Sequence, residues 1–178
     1  MKRAILFFLA VGLAGPVRAQ DDAISRYFSQ YSDDDNFTSV YVSNRMFSLF
    51  SRAVEDDPAD RELKRAISKL KGLRILSSDK MRDGKRMYQE AARTILDRGS
   101  EYEELMVVKS EGKELKFLVV ESGDKIRELL MLSGGGKDFF MLSLIGDIDL
   151  KQISRLSKSM DVKGLEDLEK LDKNNKSR

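Results

Sequence analysis

Residues 105–145 read LMVVKSEGKELKFLVVESGDKIRELLMLSGGGKDFFMLSLI and decide the fold. Four apolar runs, at 105–108, 115–120, 126–132 and 139–145, are separated by short polar connections that each contain glycine. A parallel return needs a crossover of about a dozen residues or more, so these short connections join antiparallel neighbours. The stretch therefore predicts a four-strand antiparallel meander.

Alternation within two of the runs predicts which side chains face the helices, because successive side chains on a strand point to opposite sides. The residues that share a face are Leu115, Phe117 and Val119 in the second run, and Phe140, Leu142 and Leu144 in the fourth. We expect Phe117 to be buried in the layer that meets the helices. Lys116 is then expected on the opposite face of the same strand.

Helical spacing of apolar residues dominates the chain before the meander and predicts four helices. Their inner faces are Ile24, Tyr27, Phe28 and Tyr31; Met46, Leu49, Phe50 and Ala53; Leu63, Ala66, Ile67 and Leu70; and Met87, Tyr88, Ala91 and Ile95. Residues 38–42 and 73–76 are rich in β-branched and apolar residues and predict two short strands.

Helix ends are marked by residues that can satisfy free backbone groups. These residues are Ser43 or Asn44 before the second helix, Asp57-Pro58 and Gly72 around the third, Gly99 after the fourth (84–97), and Asp149 before a last helix. Gly146 is expected to turn the chain out of the sheet. The last helix would bury Leu150, Ile153, Leu156 and Met160.

A run of strands with helices mainly before and after it predicts an α+β fold. We expect a two-layer sandwich, in which an antiparallel four-strand meander plus short N-terminal strands carries helices packed on one face. Residues 20–162 would form this single domain, and residues 163–178 would form a weakly amphipathic turn followed by a frayed polar tail.

Residues 1–19 carry the three parts of a secretory signal peptide. Lys2 and Arg3 are followed by the apolar run 4–13, a Gly-Pro break, and small residues at Val17 and Ala19. Cleavage before Gln20 would leave 159 of the 178 residues and would lower the net charge from +2 to −1. No cysteine follows the cut, so the sequence predicts a periplasmic or secreted protein that is not a lipoprotein. No later segment is apolar and long enough to span a membrane.

The composition excludes several kinds of chemistry. The chain contains no cysteine and no histidine, so thiolate and imidazole catalysis and the common zinc sites are absent. Lysine and arginine are interspersed with acidic residues and form no basic block, which argues against nucleic-acid binding.

Motif-like segments in the chain have simpler structural interpretations. Residues 134–137 (GGGK) lack the earlier glycine and the following Ser or Thr of a phosphate-binding loop and lie between two strands, so a hairpin turn is expected. Two Ser-x-x-Lys matches, at 77–80 and 122–125, lack the partner motifs of penicillin-binding enzymes. Residues 33–36 (DDDN) lack the alternate spacing of a calcium loop and are expected to form a turn.

Neighbouring carboxylates, Glu103 with Glu104 and Asp147 with Asp149, are interpreted as solvated strand ends and a helix cap. Asn36-Phe37-Thr38 matches the N-glycosylation acceptor pattern, which matters only in a eukaryotic secretory route. The sequence therefore identifies no catalytic, cofactor-binding or metal-ligating residue, and no cofactor is expected.

Several segments, taken in order, resemble domain of unknown function 4252, an uncharacterised family of exported bacterial proteins found mainly in Bacteroidota. They are 40–43 (VYVS) with Met46-Phe47, 70–76 (LKGLRIL), 102–106 (YEELM), 126–129 (IREL) and 145–150 (IGDIDL) before Ile153 and Leu156. The similarity runs from about Ile24 to Met160. The resemblance implies a small exported α+β domain, and no site residue follows from it.

Three functions remain open on the sequence. The first is a non-enzymatic periplasmic binding or interaction module, whose partner is a periplasmic protein or another envelope component. The second is an envelope hydrolase that works without cysteine or histidine. The third is an accessory to envelope signalling, for example beside a sigma-factor system. A cleft where carboxylates converge, or where a carboxylate meets a lysine, would favour the hydrolase, and an apolar patch would favour the module.

Overall fold

The structure is a computed structural model that describes residues 23–53, 61–96 and 101–150. The described helices are α1 (Ala23–Tyr31), α2 (Asn44–Ala53), α3 (Arg61–Ser68) and α4 (Gly84–Ile95). The described strands are β1 (Thr38–Ser43), β2 (Leu70–Ser78), β3 (Glu103–Ser110), β4 (Lys113–Ser122), β5 (Lys125–Gly135) and β6 (Asp138–Ile148). All six strands form one antiparallel sheet in the order β1-β2-β6-β5-β4-β3.

The α+β class and the meander are confirmed, and the sheet is larger than the meander alone. Strands β3 to β6 follow one another as neighbours, while β1 and β2 pair with each other and extend the sheet beside β6. Strand β6 therefore lies inside the sheet, between β2 and β5. Strands β1 and β3 are its two edges.

The expectation of a two-layer sandwich with helices on one face is wrong, because both faces of the sheet carry a core. The first core joins α1 and α4 to Leu118, Leu130 and Met141, among others. The second core contains Phe117 and Leu129 on the opposite face, together with Phe47 of α2 and, at its margin, Ile67 of α3. The physical reason lies in runs such as 117–120 and 129–132, which are buried at every position and not at alternate ones.

The predicted register of the meander is confirmed. Leu115, Phe117 and Val119 belong to the second core with Phe140, Leu142 and Leu144, and Phe117 is fully buried. Lys116 lies on the other face, where its Nζ donates to Glu104 Oε2 at 2.6 Å. That face is itself a core, so Lys116 is only partly exposed.

Helix α4 follows its sequence pattern closely and sits against the β5–β6 hairpin. Asp83 caps it by accepting a hydrogen bond from the Arg86 N–H at 3.0 Å, and all four predicted inner residues are buried. The Gly84 N–H donates to the Gly136 carbonyl at 2.7 Å. A Cβ at Gly84 would lie 2.1 Å from the Asp138 carbonyl oxygen, so glycine is required for this approach.

The inner face predicted for α2 is wrong. Met46, Leu49 and Phe50 are 43–48% exposed, Ala53 is also exposed, and the residue that enters the core is Phe47. The helical spacing is real, but the apolar stripe is exposed and is not part of the second core.

Three further expectations near β2 and β6 are corrected. Leu70 begins β2 and does not end α3, which closes at Ser68, and Gly72 lies inside β2 and is not a helix cap. Gly146 does not turn the chain, because β6 continues to Ile148. The register of β2 against β6 shifts between Leu70 and Gly72, and this irregularity hides the strand start from a sequence pattern.

Several expectations lie outside the described residues. They concern the leader at 1–19, the Asp57-Pro58 helix start, Gly99, the stripe formed by Ile153, Leu156 and Met160, the domain boundary at 162 and the tail at 163–178.

Candidate functional site

An open cleft lies at the end of the sheet where β2 and β5 begin and β6 ends. Its volume is about 590 Å³. The charged side chains that line it are Lys69, Lys71, Lys125, Arg127 and Asp147. Four cations and one carboxylate give the cleft a positive balance, although the chain as a whole is close to neutral.

Irregular pairing of β6 with both of its neighbours shapes this end of the sheet. Against β2 the register of β6 shifts between Leu70 and Gly72, and against β5 it shifts between Ile126 and Glu128. Such irregularities bend a strand and re-aim its side chains. Lys71 and Arg127 are the residues that lie at the two shifts.

Gly146 allows the neighbouring backbones to approach closely at the floor of the cleft. A Cβ on this residue would lie 2.5 Å from the Lys69 carbonyl oxygen. The same carbonyl accepts a hydrogen bond from the Asp147 N–H at 3.1 Å. The segment that carries Lys69 is thereby held beside the end of β6.

The ion pairs of the cleft leave part of its positive charge uncompensated. Lys125 Nζ donates to Asp147 Oδ2 at 2.7 Å, and Arg127 donates to Glu101 Oε2 at 3.1 Å. Lys69 and Lys71 form no ion pair with any residue in the described ranges. The hydrogen bond from Lys125 lowers the pKa of Asp147, and the charges of Lys125, Lys69 and Lys71 lower it further.

The N-terminal end of α2 also opens on the cleft through Asn44. The Ser43 hydroxyl caps this helix by accepting a hydrogen bond from the Met46 N–H at 3.4 Å. Ser43 was one of the two caps expected from sequence. The start of a helix carries unpaired N–H groups and the positive end of its dipole, so it adds to the preference of the cleft for an anion.

This arrangement favours binding of an oxyanion over proton transfer. Ser122 and Lys125, one of the Ser-x-x-Lys matches, both line the cleft and pair across the β4–β5 hairpin. The lysine donates a hydrogen bond to Asp147. An ammonium group has no acceptor, so it cannot take a proton from the serine hydroxyl. The serine therefore has no base positioned beside it by this pair.

The other motif-like segments have the structural roles that the sequence predicts. Gly134 and Gly135 end β5, and Gly136 turns into β6 with a φ of 55°. Asp34 Oδ1 accepts hydrogen bonds from the backbone N–H and the side-chain amide of Asn36, which makes the DDDN segment a polar turn. In residues 23–53, 61–96 and 101–150, no three acidic, histidine or cysteine side chains converge in a way that could hold a metal ion.

A second polar group lies inside the protein, away from the cleft. The Ser143 hydroxyl is fully buried and donates to Glu128 Oε1 at 2.6 Å. Burial also raises the pKa of Tyr88 to about 12, and the nearby Glu114 and Glu104 add to the effect. Tyr88 belongs to the first core, and Ser143 lies on the same face of the sheet, opposite Leu130 of β5.

The cationic residues of the cleft were not identified from sequence. They come from the start of β2 and the start of β5, about 55 residues apart, and only the antiparallel neighbours of β6 bring them together. The spacing of the two pairs, Lys69 with Lys71 and Lys125 with Arg127, was the available signal. This spacing becomes informative only when β2 and β5 are known to begin at the same end of the sheet.

The fold and this surface define a small α+β domain with an open cationic cleft. The sequence profile described as domain of unknown function (DUF4252) matches residues 31–156, which is well over half of the chain. The chain belongs to that family, as the resemblance in its sequence implied. No curated protein and no solved structure gave a significant match. Within the part of the chain that the structure describes, no helix has the length and apolar character needed to cross a membrane.

Proposed function

We propose that this chain is an exported, non-enzymatic binding protein that holds an oxyanion group of an envelope component in the cationic cleft. The observation that carries the proposal is the convergence of four cationic side chains, Lys69, Lys71, Lys125 and Arg127, around the carboxylate of Asp147. Phosphate and sulfate groups are recognised by lysine, arginine and helix N-termini acting together.

Binding alone is supported by the chemistry of the residues that line the cleft. Asp147, the one carboxylate among the described residues that line the cleft, has a lowered pKa and is paired with Lys125, so it remains ionised and compensated at neutral pH. A general acid would need the opposite shift. The chain also has no histidine or cysteine with which to replace it.

Binding of inorganic phosphate tests the ligand class. The variant Lys69→Gln/Lys71→Gln removes two cleft charges, and Lys109→Gln/Lys113→Gln removes two charges at the other end of the sheet. Each solvent-exposed charge contact contributes about 0.5–1 kcal/mol, so the cleft variant should bind phosphate about five- to thirtyfold more weakly by calorimetry. The control should bind as the unaltered chain does.

Equal affinities in both variants, or no phosphate binding by the unaltered chain, would contradict the cleft as an oxyanion site. Turnover of p-nitrophenyl phosphate or acetate that Ser122→Ala abolishes would contradict the non-enzymatic part of the proposal and would favour the hydrolase. NMR titration locates the effect directly. The amide signals of Lys69, Lys71 and Asp147 should move first.

Export is supported by the order of features in residues 1–19. The mature chain should begin at Gln20 in the periplasm or the medium, without a lipid, and its partner would be a periplasmic protein or another envelope component. Ala19→Asp should block the cut, because signal peptidase accepts only small side chains at that position. Intact-mass measurement of the soluble exported protein checks this. Retention of Met1 on correctly localised protein would refute the leader.

A further inference from the structure

The exposed apolar side chains of this protein are concentrated in one short segment. In the described residues, the five large apolar side chains that are exposed are Val40, Tyr41, Met46, Leu49 and Phe50. All five lie within eleven consecutive positions, in the edge strand β1 and the helix α2 that directly follows it. Val40 lies opposite Ile75 on the face of the sheet that α2 covers, whereas Tyr41 lies opposite Arg74 on the other face. Scattered exposed apolar residues are normal, but Val40 together with the exposed stripe of α2 marks an interaction surface.

Strand β1 also lacks the features that normally prevent an edge strand from pairing. Its sequence, TSVYVS, has no charged residue and no proline, and its pairing with β2 has no register shift. The edge strand at the other side of the sheet, β3, carries Glu103, Glu104 and Lys109 and has a register shift after Glu104. Charges and irregularities of this kind protect sheet edges. One edge of this sheet is protected and the other is not.

We propose that a second copy of this chain occupies this surface, through antiparallel pairing of β1 with its counterpart about a two-fold axis. The outward N–H and C=O groups of an edge strand are a template for pairing with another strand. An uncharged strand can pair antiparallel with itself without placing like charges opposite each other. The two sheets would then continue as one sheet of twelve strands.

The same two-fold axis brings the two α2 helices together. Helix α2 contacts both β1 and β2, so it lies over that pair of strands. The two-fold axis of an antiparallel strand pair is perpendicular to the sheet, so α2 and its counterpart lie on the same face of the joined sheet, one on either side of the axis.

A second copy therefore explains both halves of the surface. The exposed stripe of Met46, Leu49 and Phe50 is covered by neither the sheet nor α3, which also contacts α2. A foreign extended peptide would pair with β1 but would leave this stripe in water. A membrane surface would cover the stripe but would leave the N–H and C=O groups of β1 unpaired.

Light scattering on the full chain at different concentrations tests the interface. The unaltered chain should have twice the monomer mass at micromolar concentrations. Val40→Lys, which places a charge on the edge strand, and Phe50→Glu, which places one on the stripe, should each weaken the dimer at least tenfold. Glu103→Lys makes a charge change on the opposite edge and should leave the dimer intact. Both test positions are already exposed, and circular dichroism checks that the variants fold.

The absence of cysteine allows a second test that does not depend on destabilising the dimer. Single cysteines are placed at Met46, Leu49 or Phe50, and a control cysteine replaces the exposed Arg93 on α4. A residue close to a two-fold axis is also close to its own copy, so the fastest of the three should form a disulfide-linked dimer at least tenfold faster than the control, which lies on the other face of the sheet.

The inference is overturned if the unaltered chain is monomeric at every concentration, or if Val40→Lys and Glu103→Lys affect its mass equally. Cross-linking at the same rate as the Arg93→Cys control would also overturn it. Binding of the monomeric chain to vesicles of phosphatidylglycerol, lost in Phe50→Glu, would instead identify a membrane as the occupant. None of these outcomes depends on phosphate binding in the cleft.

Discussion

Removing one buried side chain from each face of β4 tests whether the sheet carries two cores. Phe117 is fully buried in the second core, and its neighbour Leu118 is 2% exposed in the first core. Truncation of a buried Phe to Ala costs about 3–5 kcal/mol, and of a buried Leu about 2–5 kcal/mol, through lost transfer energy and the cavity that remains. We expect both Phe117→Ala and Leu118→Ala to fall in these ranges.

Urea denaturation followed by circular dichroism measures both effects. With a slope of about 2 kcal/mol per molar urea, a loss of 3 kcal/mol lowers the midpoint by about 1.5 M. Domains of this size are stable by about 5–15 kcal/mol, so either variant loses a large part of its stability. The slope should stay constant if the unfolded state is unchanged.

Lys116→Ala is the matched control, because it lies directly before the two test positions on the same strand. Its ion pair with Glu104 is partly exposed, so its loss should cost less than about 1 kcal/mol. If Leu118→Ala costs no more than Lys116→Ala, the face that α1 and α4 cover is not a core. The two-layer arrangement expected from sequence would then be correct.

Three further variants test local contacts. Gly84→Ala should destabilise the protein by about 1–3 kcal/mol despite the better helix propensity of alanine, because the added Cβ meets the Asp138 carbonyl oxygen. Thermal melting measures this loss, and Gln89→Ala, an exposed change on the same helix, is the control. Ser143→Ala should cost about 1–3 kcal/mol in urea, because Glu128 loses a buried donor. Burial raises the pKa of Tyr88 to about 12, so this side chain ionises first in the unfolded state, and stability should fall as the pH rises from about 10 to 12. The loss of stability should be smaller in Tyr88→Phe. An identical pH profile in both proteins would contradict the raised pKa of Tyr88.

The elements predicted well from sequence are those whose local signals agree with their packing. In α4 the stripe of Met87, Tyr88, Ala91 and Ile95 is buried as expected, and the helix begins where a capping Asp is available. The meander was predictable because its connections are short and contain glycine. In both cases the information is local, because it lies within one helix or within two apolar runs and the short connection between them.

The layer arrangement was mispredicted although the sequence contained the signal. The alternation in β4, where Phe117 and Val119 share a face, predicts a strand that is buried on one side only. The intervening Leu118 and Val120 are equally apolar, and four consecutive apolar residues indicate a strand buried on both sides. The cationic cleft is a different case, because its residues meet only through the order of the strands, which no local pattern contains.

The error at α2 has a more informative cause. Apolar residues at helical spacing report that a face of the helix is buried, but they do not report what buries it. Within one chain the sheet is the obvious candidate, and on that assumption Met46, Leu49 and Phe50 were placed inside. The structure puts only Phe47 there and leaves the stripe exposed beside an uncharged edge strand. If a second copy covers the stripe, the helical periodicity of α2 correctly indicates that this face is buried. The mistake is then only to assume that the same chain buries it. Exchange of the α2 amides with solvent deuterium separates the two readings. Their protection should rise with protein concentration in the unaltered chain and stay low in Val40→Lys.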